Sequence, residues 1–145
     1  MTKAPTDVAG RVVWCDRGWQ PVFYGFCPSE AAWKRAVRKL GAKGDPYPAH
    51  AACCTTYSHK GQVTCLVTLG PATKHQTRVG VAGLLAHEAT HVWQQVREKM
   101  GERWPSIEFE AYAVQCIFQG LYQAWLDTVA PPEMKAAGAT RRKVG

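Results

Sequence analysis

Residues 81 to 100 read VAGLLAHEATHVWQQVREKM, and this stretch decides how the chain folds. Leu85, Ala89, Val92, Val96 and Met100 recur at three- and four-residue intervals, which puts them on one stripe of an α-helix. Gly101 follows as a C-cap able to take the left-handed conformation. Arg103-Trp104-Pro105 then breaks the chain, and Ser106 can cap a second long helix from Ile107 to about Val129. Its expected apolar stripe is Ile107, Val114, Phe118, Leu121 and Trp125. Pro131-Pro132 stops it, and residues 131–145, small and basic, read as a mobile tail.

Upstream the pattern changes. Residues 1–10 read as a loose lead. Arg11 to Cys15 and Pro21 to Phe26 carry β-branched and aromatic residues on either side of Asp16-Arg17-Gly18, which predicts a short hairpin. Ser29 caps a helix containing Trp33, Val37 and Leu40, ended by Gly41. Ala51 to Tyr57 and Gln62 to Leu69 form a second hairpin across Ser58-His59-Lys60-Gly61. In its second strand Val63, Cys65, Val67 and Leu69 alternate with Gln62, Thr64, Leu66 and Thr68, which leaves one face more apolar, as for an edge or half-covered strand. The expected architecture is α+β: a small antiparallel or mixed sheet packed on the 81–100 helix and a second long C-terminal helix. With 145 residues, one domain spanning 1–145 is the natural reading.

Composition narrows the function. The chain is 46% hydrophobic and 20% charged, which disfavours wholesale disorder, and no apolar run approaches the roughly 18 residues of a membrane span. Pro5, Asp7 and Arg11 stand where a signal peptide needs an apolar block, so a cytoplasmic location is expected. Six cysteines without a CxxC pair are then reduced thiols rather than a zinc ribbon or redox dithiol. The formal net charge is +7, with clusters at Lys34, Arg35, Arg38 and Lys39 and at Arg141, Arg142 and Lys143. A solvated face and a basic tail explain these clusters, with weak polyanion binding as the alternative.

Within the long helix lies His87-Glu88-Ala89-Thr90-His91. Residues four apart project from one helix face with Cβ atoms roughly 6 Å apart, so two neutral imidazoles can meet one Zn²⁺ at about 2.0–2.1 Å. Glu88, beside the first ligand, can take a proton from a metal-activated water. Two surface histidines on an amphipathic helix are the bland alternative. A catalytic zinc also needs a third protein ligand. No histidine follows His91, which turns attention to the carboxylates that begin the next helix, Glu108 and Glu110. On a helical wheel Glu110 falls about 50° from the centre of the expected stripe and Glu108 nearly twice as far. A carboxylate on the apolar side needs a neutralising partner, which favours Glu110 and leaves Glu108 as the alternative.

HEATHVWQ at 87–94 followed by EFEAYAVQ at 108–115 resembles the gluzincin-type metallopeptidases of the zincin fold, and especially the small metallopeptidases of tailed phages and prophages. The resemblance covers roughly residues 81–122. It implies a minimal zincin-like domain, a single Zn²⁺, a strand bordering the active-site helix, a peptide or protein substrate, and the host cytosol if the chain is phage-encoded. The Glu108-to-Ala111 spacing resembles a more distant group of repressor-cleaving metallopeptidases, which favours Glu108 as ligand. Three rival functions follow: zinc peptidase, non-catalytic zinc protein, and nucleic-acid-associated factor. Among weaker positions, Val63 to Leu69 could pair with an extended substrate, and His59, His75 and Tyr112 could stabilise an oxyanion. Trp93 and Trp104 are expected to pack the helix pair.

Overall fold

Two hairpins joined through a helix build the sheet of this α+β protein, whose computed structural model describes residues 8–71 and 76–136. After a 3-10 turn at Val8–Gly10, β1 (Val13–Trp14) pairs antiparallel with β2 (Val22–Cys27). Helix α1 (Glu30–Lys39) follows, with the Ser29 hydroxyl accepting from the Ala32 N–H as its N-cap. β3 (Ala52–His59) and β4 (Gln62–Leu69) form the second hairpin, and β4 lies parallel to β2. The strand order is therefore β1-β2-β4-β3.

The expected four-residue link in the second hairpin is shorter. Both strands extend to a two-residue Lys60-Gly61 turn with positive φ at both positions, 51° and 76°. That is the turn whose twist matches paired strands, and glycine takes one of its two positions without strain.

β4 is not an edge strand. It sits between β2 and β3, and its residues from Thr64 to Leu69 are all buried. Two layers account for this. Cys65, Val67 and Leu69 join Val22, Tyr24 and Phe26 beneath α2 (Arg78–Met100) and α3 (Ile107–Asp127). On the other face Leu66 packs with Trp33, Ala36 and Val37 of α1. The alternation in the sequence misleads because α1 covers the face carrying the threonines, Thr64 and Thr68, both buried. With both β4 edges already paired, pairing of a substrate with Val63 to Leu69 is excluded in this fold; β3 is the outer strand on that side among the described residues.

α2 carries its expected stripe as far as Val96, with Leu85, Ala89, Val92 and Val96 fully buried, whereas Met100 in the last turn is exposed; Gly101 caps the helix at φ 71°. α3 begins at its Ser106 cap, but its buried face is Ala113, Ile117, Leu121, Ala124 and Trp125. Ile107 is 85% exposed, so the expected stripe was centred too far round the helix. The residues at 131–136 do not conform to the expected tail. Pro132–Ala136 form a short helix, α4, whose Met134 packs on the main core next to buried Ala130. The rest of the tail, 137–145, and residues 1–7 of the expected lead lie outside the described residues. No helix among the described residues is long and apolar enough to cross a membrane.

Candidate metal centre

Thr77 starts α2 by accepting from the Gly80 N–H, and the helix then runs without interruption to Met100. That continuity sets the geometry of the motif. His87 and His91, one turn apart on the exposed side, bring their Nε2 atoms to 3.1 Å, with ring centroids 4.8 Å apart. Two nitrogens held about 2.0–2.1 Å from a tetrahedral zinc stand about 3.3 Å apart, so this separation suits a shared metal. The same 3.1 Å contact is within hydrogen-bond range, so two surface histidines bonded to each other also account for it.

Gln94 adds a group that the motif reading left out. Its Oε1 lies 2.9 Å from His91 Nδ1. A carbonyl oxygen can only accept, so Nδ1 must donate, and in a neutral ring Nε2 then keeps its lone pair free. The signal was present in the sequence as a residue three positions on, one helical turn away and able to reach back.

Glu88 is buried, at 5% exposure, although it neighbours the exposed pair. Its carboxylate accepts the backbone N–H of Cys54 in the edge strand β3. Burial pushes its pKa above the ordinary carboxylate value, opposed by the nearby imidazoles of His87 and His91 and by the Cys54 N–H. The acid therefore sits between strand β3 and the imidazole pair. The Cys54 thiol of the same strand is hydrogen-bonded to Cys65, and that bond, then burial, raises its pKa far beyond the usual thiol range.

The third ligand is where sequence and structure part. Glu110 Oε2 accepts from Trp93 Nε1 at 2.7 Å and lies 3.5 Å from Arg97 Nη1. Trp93 is two residues beyond His91, and residues two apart on a helix face away from each other. Glu110 is thus held on a different side of α2 from the imidazoles, contrary to the expectation that it completes the set. The real α3 face explains why: taking 100° per residue, Glu110 falls within about 10° of the centre of Ala113, Ile117, Leu121, Ala124 and Trp125. Its partner is the indole and guanidinium of α2. Glu108, the alternative, is exposed at the start of α3. No group of three His, Cys, Asp or Glu side chains able to hold a metal occurs among the described residues. Two nitrogen donors fit zinc; the third donor is not among their neighbours.

The other sequence candidates separate as well. His59 ends β3, five residues and roughly 17 Å along the strand from Cys54. Tyr112 is 62% exposed on α3, and His75 lies outside the described residues. Trp93 packs edge-to-face on Phe109 as expected, whereas Trp104 is 91% exposed. No family model, curated protein or solved structure matches this chain.

Proposed function

We propose that this protein is a zinc-dependent metallopeptidase that hydrolyses peptide bonds in the cytosol, with His87 and His91 as metal ligands and Glu88 as general base. One observation carries the reading: the 3.1 Å approach of two Nε2 atoms directly beside a buried carboxylate. Zinc, when bound, lowers the pKa of a water toward about 7 and polarises a carbonyl. His91 presents Nε2 because Gln94 engages Nδ1. Glu88, made more basic by burial, accepts a proton at its carboxylate and returns it to the departing amine. The Cys54 N–H holds that carboxylate against β3, the outer strand, whose remaining main-chain groups suit an extended peptide. Six free cysteines support a reducing compartment.

The test is metal content and hydrolysis measured together on a set of peptide substrates. Wild type should retain zinc, His91→Ala should lose metal and turnover, and Glu88→Gln should keep metal while turnover falls about 10²–10⁴-fold. Unchanged hydrolysis by Glu88→Gln sinks the mechanism. A second reading is zinc held for structure without hydrolysis, which requires a closed set of four protein donors. It predicts retained zinc with no turnover in wild type.

A further inference from the structure

At the opposite edge of the sheet, β1 and α1 enclose a concavity of about 330 Å³ whose wall includes Arg11, Arg35, Arg38, Lys39 and Trp14. Among the described residues no carboxylate lines it. Four cations around one hollow repel one another and leave an unsatisfied positive field, which anionic groups relieve. Arg35 is partly committed, since its Nη1 donates to Gly10 O at 2.7 Å, while Arg11, Arg38 and Lys39 are exposed.

Trp14 makes the hollow more than a charge patch. Its indole is 51% exposed, and it also lines the adjoining hollow of about 550 Å³ with Arg17 and Phe23. There the Arg17 guanidinium lies over the Phe23 ring, 3.8 Å from its centroid. The indole is held by the backbone beneath it. A Cβ on Gly25, its partner in β2, would come within 3.0 Å of Trp14 Cε3 and 2.8 Å of Val13 O, so only glycine lets the ring lie this close. The ring is thus a half-open platform backed by the β2 main chain at the junction of two hollows. Among the described residues the charged lining of one is all cationic; the other holds a guanidinium stacked on an aromatic face and one acid, Asp16, whose Oδ1 already accepts the Gly18 N–H.

The geometry points to a binding groove for single-stranded nucleic acid, with a base stacked on Trp14 and phosphates held by Arg11, Arg38 and Lys39. Stacking needs an exposed aromatic face and backbone contact needs cations at its margins, and the two occur here together. A paired duplex keeps its bases stacked on each other and offers no free face to an indole, so a single strand is the form that suits this groove. The groove does not depend on the metal centre.

Fluorescence anisotropy of labelled oligothymidylate with the full chain tests this. With each neutralised phosphate adding about 0.7 to the slope, three or four contacts give log Kobs against log [salt] a slope of about −2 to −3. Trp14→Ala should weaken binding at least about tenfold and Trp14→Phe should largely restore it, because the loss is one of stacking. Arg38→Gln with Lys39→Gln should flatten the slope. An abasic strand of equal length should bind the wild type as weakly as the intact strand binds Trp14→Ala. Circular dichroism confirms that each variant is folded, and the abasic arm needs no variant. Absence of binding, equal affinity for duplex or abasic strand, or full displacement by heparin with no effect of Trp14→Ala would each overturn the proposal.

Discussion

Gln94 illustrates how one neutral side chain can govern a site to which it contributes no ligand. By accepting from His91 Nδ1 it selects the tautomer in which Nε2 is bare. Gln94→Ala should therefore lower zinc affinity about 10–100-fold with little change in fold, read by competition with a chromogenic chelator. Glu110 offers a second discrimination. Bound to Trp93 and Arg97 it is a structural latch, so Glu110→Ala should cost about 1–2 kcal/mol by leaving a buried indole N–H without its partner. Zinc content should stay unchanged. Loss of zinc in Glu110→Ala, with Glu108→Ala retaining it, would instead show that the carboxylate leaves Trp93 to join the imidazoles when metal arrives.

Elements were legible in the sequence where local chemistry dictates them. Ser29, Ser106 and Gly101 each mark a helix end that the structure keeps, because a cap satisfies backbone groups within its own few residues. His87, Glu88 and His91 were legible for the same reason: a helical turn alone brings the imidazoles together. What failed depends on neighbours distant in sequence. The parallel pairing of β2 with β4 and the cover of α1 over Leu66 bury a strand whose alternation suggests exposure. The rotation of α3, which aims Glu110 at Trp93, is set by packing against α2 and not by its own period. The groove beside Trp14 is likewise a product of β1 meeting α1. At this scale Gly25→Ala is the informative substitution. Its Cβ would stand 2.7 Å from Val12 Cγ1 and 2.8 Å from Val13 O, so β1 must shift, at about 1–3 kcal/mol in urea denaturation.

Across the whole molecule, buried thiols set an alkaline limit. Burial pushes Cys15 and Cys27 from the usual value of 9.0 up to about 12. Below about 9 both states hold these protons and no pH dependence arises. Between about 9 and about 12 the unfolded chain ionises first, so folding stability should fall as pH rises through that window. Thermal melts across it, compared with Cys15→Ala and Cys27→Ala, should show a shallower fall in each variant. Cys116 is exposed on α3 and should be the first thiol alkylated at neutral pH, identified by peptide mass mapping.

The strand order has a thermodynamic corollary. Glu88 leans on β3 and the cationic groove is built on β1, the two outer strands, so three strand spacings of about 4.8 Å separate them. At some 14 Å, with no shared partner, perturbations at the two places should sum to within about 0.5 kcal/mol rather than reinforce each other. A chain carrying both Trp14→Ala and His91→Ala is then expected to show the two single defects side by side, each at its original size. The protein would in that case be a bifunctional plate, able to hold a strand at one rim while its opposite rim stays open to another molecule.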